Sequence, residues 1–233
     1  PIIISTQRTS WVNRKFSHIE NAEVEKRNLT RGKKVADRKM KFGAFIAPFH
    51  AMNENPHAAL HQDFELVEWM DKLGYDEAWI GEHHSAGFEI IASPEVFIAA
   101  AAERTRHIKF GTGVSSLPYH HPLMLADRIN QLDHQTRGRV MFGAGPGSLP
   151  SDAFMMGIDV QKQRDMMDES LQAIIRLLSG ETVTEQTDWY TLNEARLQMA
   201  PFTRPRVEIA VASQVSPTGA TAAGRHGLSL LSV

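Results

Sequence analysis

From residue 40 onward the chain alternates short apolar runs with amphipathic stretches of helical spacing, and this alternation limits the folds open to it. Residues 41–46, 76–80, 107–114, 139–145, 207–213 and 228–231 read as buried strands. Between the first two, Leu60, Phe64, Val67, Met70 and Leu73 recur at helical spacing and Gly74 follows as a stop. Ser93-Pro94, His121-Pro122 and Ser216-Pro217 each open a helix, with proline in the first turn where no N–H is needed. Asp159 is expected to cap a long helix bearing Met167, Leu171, Ile174 and Leu178, closed by Gly180. Strand–helix alternation implies parallel strands joined by helical crossovers, in a doubly wound sheet or a barrel.

Two observations favour the barrel. No Gly-x-Gly-x-x-Gly follows the first strand, so a dinucleotide-binding sheet is disfavoured. Polar groups instead crowd several strand ends: His50, Glu82-His83-His84, Ser115-Ser116 and Ser213-Gln214. Chemistry spread over many strand ends is what a (β/α)8 TIM barrel shows. A closed barrel needs eight units, and residues 40–233 hold about six strands. The expected form is therefore an α/β TIM barrel truncated after about six strands.

Residues 1–39 read differently. The stretch 21–39 carries Lys26, Arg27, Arg31, Lys33, Lys34, Arg38 and Lys39 without a sustained apolar period. Such a segment buries too little apolar surface to offset its ordering entropy. It reads as a basic, disordered leader or extension before Met40, or as a basic binding arm. The domain proper is expected over 40–233.

Charge and composition narrow the partners. With 25 Lys+Arg against 27 Asp+Glu there is no field favouring nucleic acid or a membrane surface. No apolar run approaches the ~18–20 residues that span a bilayer. The chain has no cysteine, which excludes thiol catalysis and thiolate metal sites and fits a reducing, cytoplasmic setting. Oligomeric state is not readable, and a homodimer is one option.

The stretch Glu82-His83-His84 is the leading candidate for catalysis. Neighbours on a strand face opposite sides, so if the strand continues that far His83 should point away from Glu82 and His84. Histidine gives and takes protons near neutrality. A zinc site draws three or four ligands, which this vicinal pair does not supply, nor does His120-His121. No metal is expected. His50 ends the first strand and is a candidate for the substrate pocket. The glycines of Gly111-Thr112-Gly113-Val114 and of Gly143-Ala144-Gly145-Pro146-Gly147 mark a bulge or a close approach by backbone or ligand. The helix opened by Ser216-Pro217 presents first-turn N–H groups, which could cap the helix or bind an anion.

Taken in order, Met40-Lys-Phe-Gly, Glu82-His83-His84, Gly111-Thr112-Gly113-Val114 with Leu117-Pro118, Leu132-Asp133 with Gly138-Arg139, and Asp165-Met166-Met167-Asp168 resemble the bacterial luciferase-like flavin-dependent monooxygenases, and within them the limonene monooxygenase-like group. That resemblance implies a TIM barrel that uses reduced FMN (FMNH2) and O2 to insert one oxygen atom into a small apolar substrate, such as a terpene. It implies a separate NAD(P)H:flavin reductase as partner. His83 would be the flavin-side acid/base, supported by Glu82 and His84. Gly113 and Val114 would form a cis peptide under the flavin ring. Val215, Ser216, Thr218, Gly219 and Arg164 would hold the phosphate. Gly145 and Pro146 stand where luciferase has a reactive cysteine and a phosphate-binding arginine, so part of that clamp is replaced. The alternatives are a reduced-deazaflavin hydride-transfer enzyme on the same barrel and a non-catalytic flavin-binding subunit.

Overall fold

The computed structural model describes residues 40–214 and 217–232. The expectation for residues 1–39 falls outside them. Six parallel strands form the wall: β1 (Gly43–Ile46), β2 (Glu77–Ile80), β3 (Lys109–Thr112), β5 (Val140–Gly145), β8 (Glu208–Ser213) and β9 (Ser229–Ser232), paired in that order. The two-residue β4 (Ser115–Ser116) also pairs with β5. Sequential parallel neighbours with helical crossovers make this the wall of a (β/α) barrel.

The crossovers are α1 (Pro56–Leu73), α2 (Pro94–Arg104), α3 (Pro122–Thr136), α4 (Pro150–Met155), α5 (Gln163–Leu178) and α6 (Thr218–His226). Their ends follow the chemistry of the sequence. Asn55 accepts the His57 N–H at the start of α1, and Gly74 closes it at φ 80° with its N–H on Asp71 and Met70. Ser93 caps α2 through the Val96 N–H. Asp159 does not cap α5: its carboxylate takes the Gln161 N–H in a preceding turn, and the helix begins at Gln163. An Asx turn competed with the cap and won.

Two apolar layers result. Under the helices lie Ile46, Ala78, Ile80, Phe110, Phe142 and Val211, with Leu125, Ile129, Leu171 and Ile174 from the helices. Each of these buried side chains larger than alanine contributes about 1.5–3 kcal/mol. On the other face of the sheet Trp79, Met141, Ala210 and Leu231 cluster with Phe45 and Val114. The period of two along β2 puts Ala78 and Ile80 in one layer and Trp79 in the other.

The strand expected over 107–114 is shorter. β3 ends at Thr112, the Gly113–Val114 peptide is cis, and the chain resumes as β4. Gly111 here, and Gly143 and Gly145 in β5, make room for neighbouring protein. A Cβ on Gly111 would lie 2.2 Å from Trp79 Cε3, and one on Gly143 would lie 2.0 Å from the Thr112 carbonyl oxygen and 3.2 Å from Trp79 Cζ3. One on Gly145 would lie 2.4 Å from Val114 Cγ2. Gly111 thus admits the Trp79 indole, Gly143 the β3 backbone and Gly145 the Val114 side chain.

The antiparallel hairpin of β6 (Val183–Gln186) and β7 (Thr191–Ala195) was not expected, nor was α4. Each strand of the hairpin buries only one face, through Val183, Leu192 and Ala195, so its apolar signal is thin. Among the described residues no helix is long and apolar enough to cross a membrane.

Candidate active site

The C-terminal ends of the strands open into one cavity of about 1100 Å³. His83, Gly113, Val114, Arg164, Thr218 and Gly219, which the sequence had singled out separately, all line it. Glu82 borders it, whereas His84 is not in the lining. Val215 and Ser216 lie outside the described residues. His50 is not part of the lining: its Nε2 is held 3.1 Å from Asp63 Oδ2 on α1, and its backbone N–H bonds the Phe88 carbonyl. The chain after β1 turns this side chain back onto α1, so His50 lies outside this cavity.

β2 ends at Ile80, so Glu82-His83-His84 lies in the loop that follows, and the loop backbone sends its side chains apart. Glu82, whose side chain is fully buried, turns to one side with His84. Its Oε1 accepts from Nε2 of His84 and Nε2 of His120, each at 2.9 Å, and its Oε2 accepts the Ser116 N–H at 2.8 Å. Burial pushes this carboxyl up, but the hydrogen bonds from His120, His84 and Ser116 outweigh it and hold it below the ordinary range. The bond to Glu82 raises His84 in turn, against the opposing effect of burial.

His83 faces the other way, between two carboxylates. Its Nε2 lies 2.7 Å from Glu89 Oε2, a close ion-pair approach that is not aligned as a hydrogen bond. Its buried Nδ1 has no hydrogen-bond partner and lies 3.7 Å from Asp152 Oδ2. Asp152, 1% exposed, reaches in from α4 and accepts from the Ser85 hydroxyl and from the His84 N–H with its other oxygen. One buried carboxylate thus pins the loop after β2 and stands beside the catalytic candidate.

The far end of the cavity is basic and polar. Arg164 on α5 and Arg225 on α6 both reach the lining, and Arg225 pairs with Asp168 at 3.0 Å. The first turn of α6 packs directly on the end of β8: a Cβ on Gly219 would lie 2.1 Å from the Ala212 carbonyl oxygen. First-turn amides have no intrahelical acceptor, and two guanidiniums with the Thr218 hydroxyl add donors suited to a phosphate. Between these ends, Phe45, Val114 and Leu231 offer an apolar wall for a planar ring. The donor set and the wall therefore suit a phosphorylated flavin. Among the described residues no group of three or more His, Asp or Glu is placed to hold a metal.

Glu89, Asp152, Gln163, Arg225 and the role of His120 were missed from the sequence. Glu89 lies in a loop without a pattern, and Asp152 sits on the unexpected α4. Gln163 Nε2 donates to Tyr119 OH and to the Pro146 carbonyl, a contact between segments far apart in the chain.

Comparison with known proteins gives a consistent picture. The family described as luciferase-like monooxygenase matches residues 40–233. Limonene 1,2-monooxygenase of Rhodococcus erythropolis is 55% identical over 192 residues, 82% of this chain and 49% of that protein. The 4-hydroxyprotoasukamycin monooxygenase of Streptomyces nodosus subsp. asukaensis is 53% identical over 195 residues, 83% of this chain and 53% of that protein. The chain spans about half the length of these relatives. Among solved structures, the oxygenating constituent of 3,6-diketocamphane monooxygenase from Pseudomonas putida, in complex with FMN, superposes with a TM-score of 0.75 at 27% identity, covering 82% of this chain and 57% of that one.

Proposed function

The chain belongs to the luciferase-like monooxygenase family, and on that premise we propose that it forms the flavin and substrate site of a monooxygenase using reduced FMN and O2. The observation that carries this reading is the convergence of His83, the Gly113–Val114 floor, Arg164 and the start of α6 on one cavity. When bound, reduced FMN supplies the two electrons that let one oxygen atom of O2 enter the substrate while the other leaves as water.

The residues of the chain bind, shield and move protons. Arg164, Thr218 and the first turn of α6 hold the phosphate. Phe45, Val114 and Leu231 exclude water from the reacting face. His83 moves a proton at Nε2, the nitrogen that faces Glu89, while the Asp152 carboxylate stands 3.7 Å from Nδ1 on the other side of the ring. Glu82 and His84 support the strand end from its other side.

The substrate proposed is a small apolar molecule, with epoxidation of a terpene such as limonene as the specific case. The 55% identity to limonene 1,2-monooxygenase supports it. A separate NAD(P)H:flavin reductase is proposed to supply the flavin, in line with a structural relative described as an oxygenating constituent. The test is to give the protein photoreduced FMN, 18O2 and limonene and to follow the label. One labelled oxygen should enter the product, and His83→Ala should cut turnover by about 10²–10⁴-fold. Substrate reduction by a reduced deazaflavin, with hydride passing from cofactor to substrate and no oxygen consumed, would replace this reading with the hydride-transfer one.

A further inference from the structure

We infer that His120 and Arg128 are positioning residues, which lock together the two strand ends that carry His83 and the Gly113–Val114 floor. The consequence for flavin binding rests on the reading above.

Glu82 is the centre of this array. It stands one residue before His83 and, through Ser116, holds the chain two residues beyond Val114. A fully buried carboxylate needs several donors to remain charged. It has three here, and one of them, His120, comes from the turn that follows β4 rather than from β2. His120 thus ties the end of β2 to the segment after the floor.

Arg128 decides what kind of donor His120 is. Its Nη2 lies 3.1 Å from His120 Nδ1, and a guanidinium offers only N–H groups. His120 Nδ1 must therefore accept, and its proton sits on Nε2, aimed at Glu82. The guanidinium is itself oriented by Glu95 Oε1 on α2, 3.4 Å from both Nε and Nη2. His84 has no such partner on its second nitrogen among the bonds found, so the two imidazoles on one oxygen differ. His120 is thus a donor of fixed direction.

This predicts that what matters at position 120 is a group able to donate to Glu82 and accept from Arg128. A glutamine at 120 can donate to Glu82 through its amide and accept from Arg128 through its carbonyl, while an alanine can do neither. The experiment compares wild type, His120→Ala, His120→Gln and Arg128→Leu. Circular dichroism establishes that each is folded. Two readouts follow: FMN affinity by quenching of flavin fluorescence, and ring ¹⁵N shifts of His83 and His120 in the flavin-free protein.

His120→Ala should weaken FMN about tenfold and displace the His83 ring shifts. His120→Gln should bind FMN within about twofold of wild type and restore those shifts. Wild-type His120 should show the Nε2–H tautomer, and Arg128→Leu should lose it. FMN affinity and His83 shifts unchanged in His120→Ala would overturn the inference, as would a glutamine variant no better than alanine. If wild type does not bind FMN, the flavin reading falls, and the His83 shifts alone then decide the positioning role.

Discussion

Gly111→Ala should be among the most damaging single methyl additions in this protein. The added Cβ would sit 2.2 Å from Trp79 Cε3 and 2.6 Å from both Cδ2 and Cζ3, against an ordinary carbon contact of about 3.5–4.0 Å. The ring would have to retreat by more than 1 Å, roughly, and it has nowhere to go. Trp79 is 1% exposed, its Cβ already lies 3.1 Å from the Cβ position of Gly113, and its Cζ3 lies 3.2 Å from that of Gly143. Overpacking of a rigid site costs about 1–3 kcal/mol, and the lack of slack places this case near 3. For a domain of this size that is a fall in Tm of roughly 6–12 °C. Without the clash the sign would reverse, because alanine in place of a strand glycine gains about 0.5–1 kcal/mol. The assay is urea unfolding of the full chain followed by circular dichroism, in a cycle with Trp79→Leu. Removing the indole opens the slot, so Gly111→Ala should then cost less than about 1 kcal/mol, a coupling of about 2 kcal/mol. A cost that is equal in both backgrounds, or a Gly111→Ala protein as stable as wild type, would refute the reasoning.

Two further outcomes follow from the site. Glu82 is depressed below its ordinary 4.5, so its stabilisation is present above that pH and is lost as pH falls through the lower folded value. His84 is raised above 6.5, so its stabilisation is complete below that pH and is lost as pH rises through the higher folded value. The stability difference between wild type and His84→Gln should therefore be largest between these two pH values and shrink on the alkaline side, read from urea midpoints; a difference that grows with alkali would contradict the pairing. Arg164→Ala should weaken FMN about tenfold or more, the worth of a charge-assisted hydrogen bond, and leave riboflavin affinity unchanged in the same fluorescence titration. Equal loss for both ligands would place Arg164 away from the phosphate.

The limits of sequence reasoning show most clearly at the glycines. Their presence in strands 107–114 and 139–145 announced a close approach, but nothing local said what approaches. The partner turned out to be an indole from β2 and a carbonyl from β3, brought there by parallel registers such as Trp79 with Gly111. The same holds for His50, which a strand-end rule placed in the pocket and which lies against Asp63 on α1, outside the cavity. Asp159 shows a local failure: two hydrogen-bonding choices were open within a few residues, and the turn took precedence over the cap.

The alternation of apolar runs and helical stripes was sufficient for the parallel (β/α) wall, because burial on both faces and helix periodicity are properties of neighbouring residues. Strand alternation did not extend to Glu82-His83-His84, because β2 ends at Ile80 and it is the loop backbone that turns His83 away from Glu82 and His84. What stands around those residues was decided only by the tertiary structure. Glu89 and Asp152 flank His83, and His120 and Arg128 complete Glu82, from loops and helices up to 69 positions away in the case of Asp152. Such contacts leave no period in the chain, since a hydrogen bond between distant segments constrains two residues in space and nothing between them in sequence.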